Sequence, residues 1–349
     1  MEKDTHLAPP HGVSHPARAA RDTHHIISLS GGKDSTATLL RACDRLPKTS
    51  IQPVFVDTGN EHHQTYRYLD FLEDHLGLPI TRLTPDFSDQ LADKRRFIAQ
   101  DQRTGRNRQG RKLRWSNRRK RESLAAMHPS GNPFLDLCML KGMFPSNRTR
   151  FCTDHLKTRV FVNYVDELSR SGQRVVVWQG IRRDESDKRK NAKLFERVGP
   201  GFYYFRPLIH WTTADVFAFL DEKGVPPNPL YKSLGRVGCA PCVYANKKDL
   251  RGIFNSEDGP AVLDRMREWE SRVAACSKTG RAAFFHGKEL AGAKLGEVHP
   301  LTFWKRHQID AIRHWADKPT RFNPGDWGVF DAPIEAEDSG CSSEWGLCE

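Results

Sequence analysis

The run Ser30-Gly31-Gly32-Lys33-Asp34-Ser35 has the residue types that hold a phosphate group. Two adjacent glycines let a backbone turn tightly and approach an anion. A helix starting directly after them aims its unpaired N–H groups and its dipole at that anion. Lys33 adds a point charge, and the hydroxyls of Ser30 and Ser35 add donors. The spacing is not that of a Walker A loop, which needs Gly at position 27 and Ser or Thr at 34, where this chain has Ile27 and Asp34. A second polar turn, Asp57-Thr58-Gly59, follows the apolar stretch Gln52–Val56. There Asp57 suits Mg²⁺ or a ribose hydroxyl, and it would equally close the turn. Arg182 and Arg183 offer bidentate donors to phosphate or sulfate, with Asp184 and Glu185 beside them as competing ion-pair partners.

The cysteines form a second constellation. Cys239-Ala-Pro-Cys242 is a C-x2-C knuckle, a common local spacing for metal ligands, and Cys138 and Cys152 can complete a set of four. Four thiolates suit Zn²⁺ or an iron–sulfur cluster, and a redox pair or inert thiols fit the spacing as well. Cys43 falls on an apolar helix face and reads as core, while Cys276 has no reading. Cys341 and Cys348, in a Gly/Ser/acid-rich tail, suit sulfur delivery or persulfide resolution, or are simply exposed thiols.

Charge is distributed very unevenly. The 349 residues carry a net charge of +12. Residues Lys94–Arg121 hold thirteen Lys/Arg against one acid, Asp101, so the remaining chain has 42 of each sign (55 less 13, 43 less 1). A local basic run around Trp115 would attract phosphate backbones and offer a stacking surface, so nucleic acid is the expected partner. The bland alternative is a solvated, partly disordered loop. No apolar run approaches a membrane span, and the N-terminus has no apolar signal core. Eight cysteines in 349 residues are too sparse for a disulfide scaffold, so a cytoplasmic protein with no membrane partner is expected.

The elements that must position these groups alternate. Short strands at His25–Leu29, Gln52–Val56, Ile80–Leu83 and Arg174–Trp178 are separated by helices, one after Ser35, one around Tyr68–Leu76, and one at Val160–Leu168. Another helix, capped by Thr212 or Thr213, ends near Gly224. The pattern predicts an α/β fold: a Rossmann-like parallel sheet with flanking helices, plus a basic insert and a mostly helical C-terminal region. The expected division is a flexible tail over 1–23, a nucleotide-type domain over 24–246 with the insert at 94–133, helices over 247–322, and a cysteine-containing tail over 323–349.

SGGKDS resembles the PP-loop of the ATP pyrophosphatase (adenine nucleotide alpha hydrolase-like) superfamily, which includes the phosphoadenylyl-sulfate (PAPS) reductase family. VDTGNEHHQT (Val56–Thr65), CTDHLKTRVF (Cys152–Phe161), GIRRDESDKR (Gly180–Arg189), YFRPLIHWTTADVFAFL and PNPLYKSLGRVGCAPC (Pro227–Cys242) are similar to that family's later segments, in the same order. Arg159 and Val160 stand where the family commonly has proline. The resemblance covers Ile26 to Cys242, apart from the basic insert. It implies an adenosine bordered by Asp57, Thr58 and Gly59, an anion ligand in Arg182, and a [4Fe–4S] cluster in preference to Zn²⁺ on Cys138, Cys152, Cys239 and Cys242.

The expected function is therefore an enzyme that binds Mg²⁺–ATP on Ser30–Ser35 and adenylates an acceptor with release of pyrophosphate. It would then support sulfur transfer, with nucleic acid as acceptor and a sulfur donor such as a cysteine desulfurase. Lys33, Asp34, Arg182 and Glu185 are its candidate catalytic residues. The resemblance places it nearest the DNA- or RNA-thiolating members, because PAPS reductases usually depart from GGKD and carry a C-terminal Glu-Cys-Gly where this chain has Gly-Leu-Cys-Glu. The alternatives are a true PAPS or APS reductase of sulfate assimilation, and a nucleic-acid-binding defence subunit with a vestigial nucleotide site.

Overall fold

A computed structural model describes residues 23–108, 110–146, 149–170, 173–285 and 299–318. Of the expected tails over 1–23 and 323–349, residues 1–22 and all of 323–349, with Cys341 and Cys348, lie outside the described residues, while Thr23 already belongs to the first strand.

Strand β1 (Thr23–Leu29) has its last four residues buried and passes through the glycine pair into α1 (Lys33–Cys43). Strand β2 (Ile51–Val56) leads to α2 (His63–Leu76), which stops at Gly77, a left-handed residue with φ of 58°. After β3 (Thr81–Leu83) the chain leaves the sheet through α3 (Ser88–Ala99), α4 (Asn117–Ala126) and α5 (Pro133–Lys141). It returns through a π-helical turn (Thr153–Thr158) and α6 (Arg159–Arg170) to β4 (Arg174–Trp178). A hairpin, β5 (Phe195–Gly199) and β6 (Phe202–Phe205), precedes α7 (Thr213–Glu222). Helices α8 (Lys247–Phe254), α9 (Gly259–Cys276), α10 (Pro300–Lys305) and α11 (Ile309–Asp317) follow.

The six strands run β3-β2-β1-β4-β6-β5, parallel throughout except for β5. Ile26 pairs with Gln52 on one side and with Val177 on the other. The chain leaves β1 in one direction and returns to its other side at β4, so a topological switch point lies between the carboxyl ends of these two strands. Open α/β sheets bind ligands at such a point. One face of the sheet packs Leu39, Tyr68, Leu69 and Val216 from α1, α2 and α7, and the other packs Phe161 and Val165 from α6. Burial on both faces explains why β1, β2 and β4 read as continuous apolar runs.

The helical pieces on either side of the later strands share one core. Leu91 and Ile98 of α3, Leu135 and Met139 of α5, Leu250 of α8, Met266 and Trp269 of α9, and Ile312 of α11 belong to a single buried cluster. The basic insert is therefore folded at α3, α4 and Trp115, while Gln102–Arg108 between the two helices is exposed loop. Trp115 is 6% exposed within that cluster, and its N–H donates to Asp101 Oδ2 at 2.8 Å, so it is not a stacking surface. The β5–β6 hairpin was not among the expected strands. Within the helical region expected over 247–322, α10 and α11 are separated at Gln308, which precedes α11 in an extended conformation.

Candidate active site

The phosphate loop sits at the switch point. Gly31 has φ of 78°, which a side chain rarely tolerates, and a Cβ there would come within 2.9 Å of Thr65 Cγ2. Gly32 precedes α1 and supplies no side-chain cap, so the backbone at the helix start is not screened by a capping side chain. The Lys33 N–H donates to Tyr231 Oη at 3.0 Å. Asn228 Nδ2 donates to the Gly31 carbonyl at 3.0 Å. The Asn-Pro-Leu-Tyr segment thus folds over the loop and holds its shape. Inside the loop, Ser35 Oγ accepts from the Ser30 N–H at 3.1 Å and donates to the Gly32 carbonyl at 3.0 Å.

Asp34 points inward. Its Oδ2 pairs with Lys33 Nζ at 2.8 Å and its Oδ1 with Arg182 Nε at 2.7 Å. Arg182 also donates to Asp184 Oδ1 at 2.9 Å and is 2% exposed, so here it braces the loop and is not an open anion clamp. Gly180 makes this close approach possible, because a Cβ on it would lie 2.8 Å from the Asp34 carbonyl. Glu185 is ion-paired with Arg189, and burial raises its pKa above the usual carboxylate range. Arg183 donates to the Ala192 carbonyl and faces solvent.

The second turn has the closing role weighed for it, with something left over. Asp57 Oδ1 accepts from the Gly59 N–H at 2.8 Å and the Tyr66 hydroxyl at 2.7 Å. Its Oδ2 has no hydrogen-bond or ion-pair partner among the described residues, and is available to a cation or a ribose hydroxyl. Gly59 has φ of 76° and abuts Asn132 and Pro133 at the start of α5. Thr58 donates from Oγ1 to both oxygens of Glu61, at 2.8 and 2.9 Å.

Glu61 and Lys157 were not foreseen as site residues. They lie 3.8 Å apart and both are buried. Burial pushes the Glu61 carboxyl up, Lys157 opposes that, and Asp57 adds to it. Lys157 belongs to the Cys152–Phe161 segment, and the π-helical turn places it, a distortion frequent at functional sites.

This pair faces a cavity lined also by Ser30, Thr58, Cys152, Cys239 and Cys242, with apolar walls from Leu29, Phe55 and Phe134. Cys138 is buried, and its thiol is raised well above the ordinary range by burial and then by the charge of nearby Cys152. The structure thus brings three predicted ligands to one cavity beside the phosphate loop and puts the fourth near one of them. The knuckle is docked on the second turn: the Ala240 N–H donates to the Asn60 carbonyl at 2.8 Å, and Asn60 Nδ2 donates to the Pro241 carbonyl at 3.0 Å. No three of these sulfurs lie mutually within 4.8 Å, since His62, His63 and Asp258 are the only such group among the described residues. Tetrahedral Zn²⁺ with roughly 2.3 Å bonds would bring sulfurs to about 3.8 Å of one another, closer than any three of them stand here.

Comparison with known proteins identifies the lineage. Residues 24–245 match the phosphoadenosine phosphosulfate reductase domain. The chain belongs to the phosphoadenosine phosphosulfate reductase family. An uncharacterised 37.8 kDa protein of Escherichia phage 186 is 41% identical over 308 residues, covering 85% of this chain and 89% of that protein. An adenosine 5′-phosphosulfate reductase of Chelativorans sp. is 25% identical over 245 residues, covering 69% of this chain and 78% of the reductase. Among solved structures, PAPS reductase from Candida auris in a phosphate complex aligns with a TM-score of 0.38 at 16% identity, covering 64% and 84% of the two chains.

The family domain ends just past the cysteine knuckle, so the helices that complete the core around Trp269 lie outside it. No helix among the described residues is long and apolar enough to cross a membrane.

Proposed function

We propose that this family member is a PP-loop enzyme that binds Mg²⁺–ATP, adenylates a nucleic-acid acceptor with release of pyrophosphate, and supports sulfur transfer to it. The observation that carries the reading is the arrangement at the switch point. An uncapped α1 N-terminus lies under Gly31 and Gly32, Lys33 lies beside it, and Ser30 is shared with a cavity bearing three cysteines. The triphosphate would take the α1 N–H groups and Lys33. An acceptor oxygen would attack the α-phosphorus while the bond to the β-phosphate breaks and pyrophosphate leaves. A hydrosulfide equivalent from a sulfur donor, such as a cysteine desulfurase, would then displace AMP. Positioning and charge stabilisation by Lys33, with Asp34 and Arg182 holding the loop, supply most of the catalysis in this class of step.

Asp57 Oδ2 would take the Mg²⁺, which neutralises phosphate charge. Cys138, Cys152, Cys239 and Cys242 would hold a [4Fe–4S] cluster, which supplies electron transfer or a sulfur-binding iron. Glu61 and Lys157 form a compact ion pair at the same cavity, suited to holding a proton near the acceptor. The test is ATP–pyrophosphate exchange with and without single-stranded DNA or RNA. Exchange stimulated by the acceptor supports the reading, and none under any condition refutes it. The relatives named adenosine 5′-phosphosulfate reductase favour a second reading, reduction of a sulfonucleotide, which thiol-dependent sulfite release from APS or PAPS would identify.

A further inference from the structure

We infer that a cationic cavity on the helical layer, built by Lys94, Lys141 and Lys278 around the exposed ring of Phe97, binds the phosphate and base of a nucleotide unit. The cavity has a volume of about 410 Å³ and is lined also by Arg103, Leu113, Trp115 and Leu140. That size lies within the range of small-molecule sites. Four cations and no acid line it, and three of them come from distant parts of the chain: α3, the end of α5, and the turn after α9.

Their existing bonds leave the charge uncompensated. Arg103 is neutralised by Asp101. Among the described residues, none of the three lysines has a carboxylate partner. Lys278 donates to the Leu113 carbonyl at 2.7 Å, Lys141 meets His155 Nε2 at 3.2 Å, and Lys94 lies over the Phe97 ring at 5.7 Å. Burial, then Arg103 and Lys141, lower the Lys94 pKa, as expected for cations gathered without an anion. The end of α9 also presents backbone carbonyls nearby, and Arg119 covers those of Ala274, Ala275 and Ser277.

Phe97 is 43% exposed, with the Arg103 guanidinium 4.7 Å from its ring centre, which leaves part of the ring to a base. The role the sequence suggested for Trp115 thus passes to Phe97, with Trp115 as the floor. The cavity also lies at a useful distance from the active site. Phe134 at the start of α5 lines the cysteine cavity, while Leu140 and Lys141 at its end line this one. Seven residues of helix separate them by roughly 10 Å, about three steps of a stacked strand.

A phosphate-bearing nucleotide reaches such a cavity either as part of a single strand or as a free mononucleotide. The first source rests on the nucleic-acid reading above, and the second does not. The test uses the full chain with labelled dT12 by anisotropy across a salt series, and with thymidine 5′-monophosphate by calorimetry. The variants are Lys94→Gln/Lys141→Gln and, separately, Phe97→Ser, whose exposed ring leaves the fold intact. For a strand, the double variant should weaken dT12 binding about tenfold and flatten the log–log salt slope by roughly 1.4, while Phe97→Ser should weaken it at least about fivefold with the slope unchanged. Binding of the mononucleotide but not of dT12, lost in the double variant, would keep the cavity and remove the nucleic-acid acceptor. If dT12 binds and neither variant affects it, the cavity assignment is overturned while the acceptor reading stands. If neither ligand binds, the assignment is wrong.

Discussion

Arg182 Nε donates to Asp34 Oδ1 at 2.7 Å, with both side chains at most 3% exposed. The bond crosses the switch point, joining the loop after β4 to the first turn of α1. Asp34 is held on its other oxygen by Lys33, so one carboxylate orients both the loop and its cation.

Removing one partner of a buried ion pair leaves a desolvated charge, which costs about 3–5 kcal/mol. Arg182→Ala should therefore destabilise the fold by about 3 kcal/mol, near the lower bound because Lys33 remains. The double substitution Asp34→Asn/Arg182→Leu removes both charges and should recover most of that loss without restoring pyrophosphate release. Urea melts of the two variants check this. An Arg182→Ala protein that melts like the wild type would show the pair to be energetically idle.

Lys33 has a different balance. Its side chain is 15% exposed and its Nζ lies 5.7 Å from the Tyr231 ring centre, outside the buried apolar clusters, so it contributes little to the core. Asp34 keeps its bond to Arg182 when Lys33 is removed, so Lys33→Ala should stay folded with a smaller loss of stability than Arg182→Ala, and should lower pyrophosphate release by at least about 100-fold, as expected when a preorganised charge on a phosphoryl group is removed. Steady-state phosphate detection coupled to pyrophosphatase measures it.

The cysteines should divide by position. Cys152→Ser or Cys239→Ser, both on the cavity, should lower bound iron in anaerobically purified protein at least severalfold. Cys43→Ser, on α1 behind the sheet, should leave it unchanged. Iron content equal in all three proteins would remove the cavity as the cluster site.

Glu270 supplies a pH prediction. It lies in α9, 5% exposed, and accepts N–H bonds from Phe284 at 2.9 Å and Ile309 at 3.1 Å. Burial raises its pKa to about 7, against the pull of those two donors. The folded state then binds more protons than the unfolded state between about 4.5 and 7, so stability falls as pH rises through that window. The loss attributable to this group is up to about 3 kcal/mol, at 1.36 kcal/mol per pKa unit. Glu270→Gln should remove this slope. Urea melts from pH 4.5 to 8 compare the two proteins, and parallel curves would refute the shift.

Legibility in the sequence followed locality. The apolar runs of β1, β2 and β4, the glycine pair before Lys33, and the stop at Gly77 are short-range signals, and the sheet and loop are where those signals put them. The hairpin β5–β6 escaped because Phe195, Arg197 and Val198 of its edge strand are exposed, so no buried period marks it. Trp115 looked like a stacking ring because its neighbours are basic, yet burial depends on α9, about 150 residues away in sequence. The Glu61–Lys157 pair was hidden for the same reason: nothing local joins residues 61 and 157 before the chain folds.

The cations of Lys94–Arg121 divide into structural and binding ones, which composition alone treats as equal. Arg119 donates to Ala274, Ala275 and Ser277 carbonyls at 2.6, 2.9 and 2.7 Å, at the carboxyl end of α9, the negative pole of its dipole. Lys120 likewise donates to the Asp101 carbonyl at 2.7 Å. Arg111, Lys112 and Arg114 are exposed and cap nothing of this kind. Charged hydrogen bonds contribute about 1.5–3 kcal/mol each when their partners are buried, so Arg119→Gln should destabilise the protein by about 2 kcal/mol and leave the salt dependence of dT12 binding in place. Replacing Arg111, Lys112 and Arg114 with Gln should change stability by less than about 0.5 kcal/mol. It should flatten the salt slope by roughly 0.7 for each phosphate that the trio no longer neutralises. Melting curves and salt series on the same two variants settle the division. If Arg119→Gln flattens the slope and the triple variant does not, the exposed trio lies off the nucleic-acid path and the binding face is the α4–α9 side.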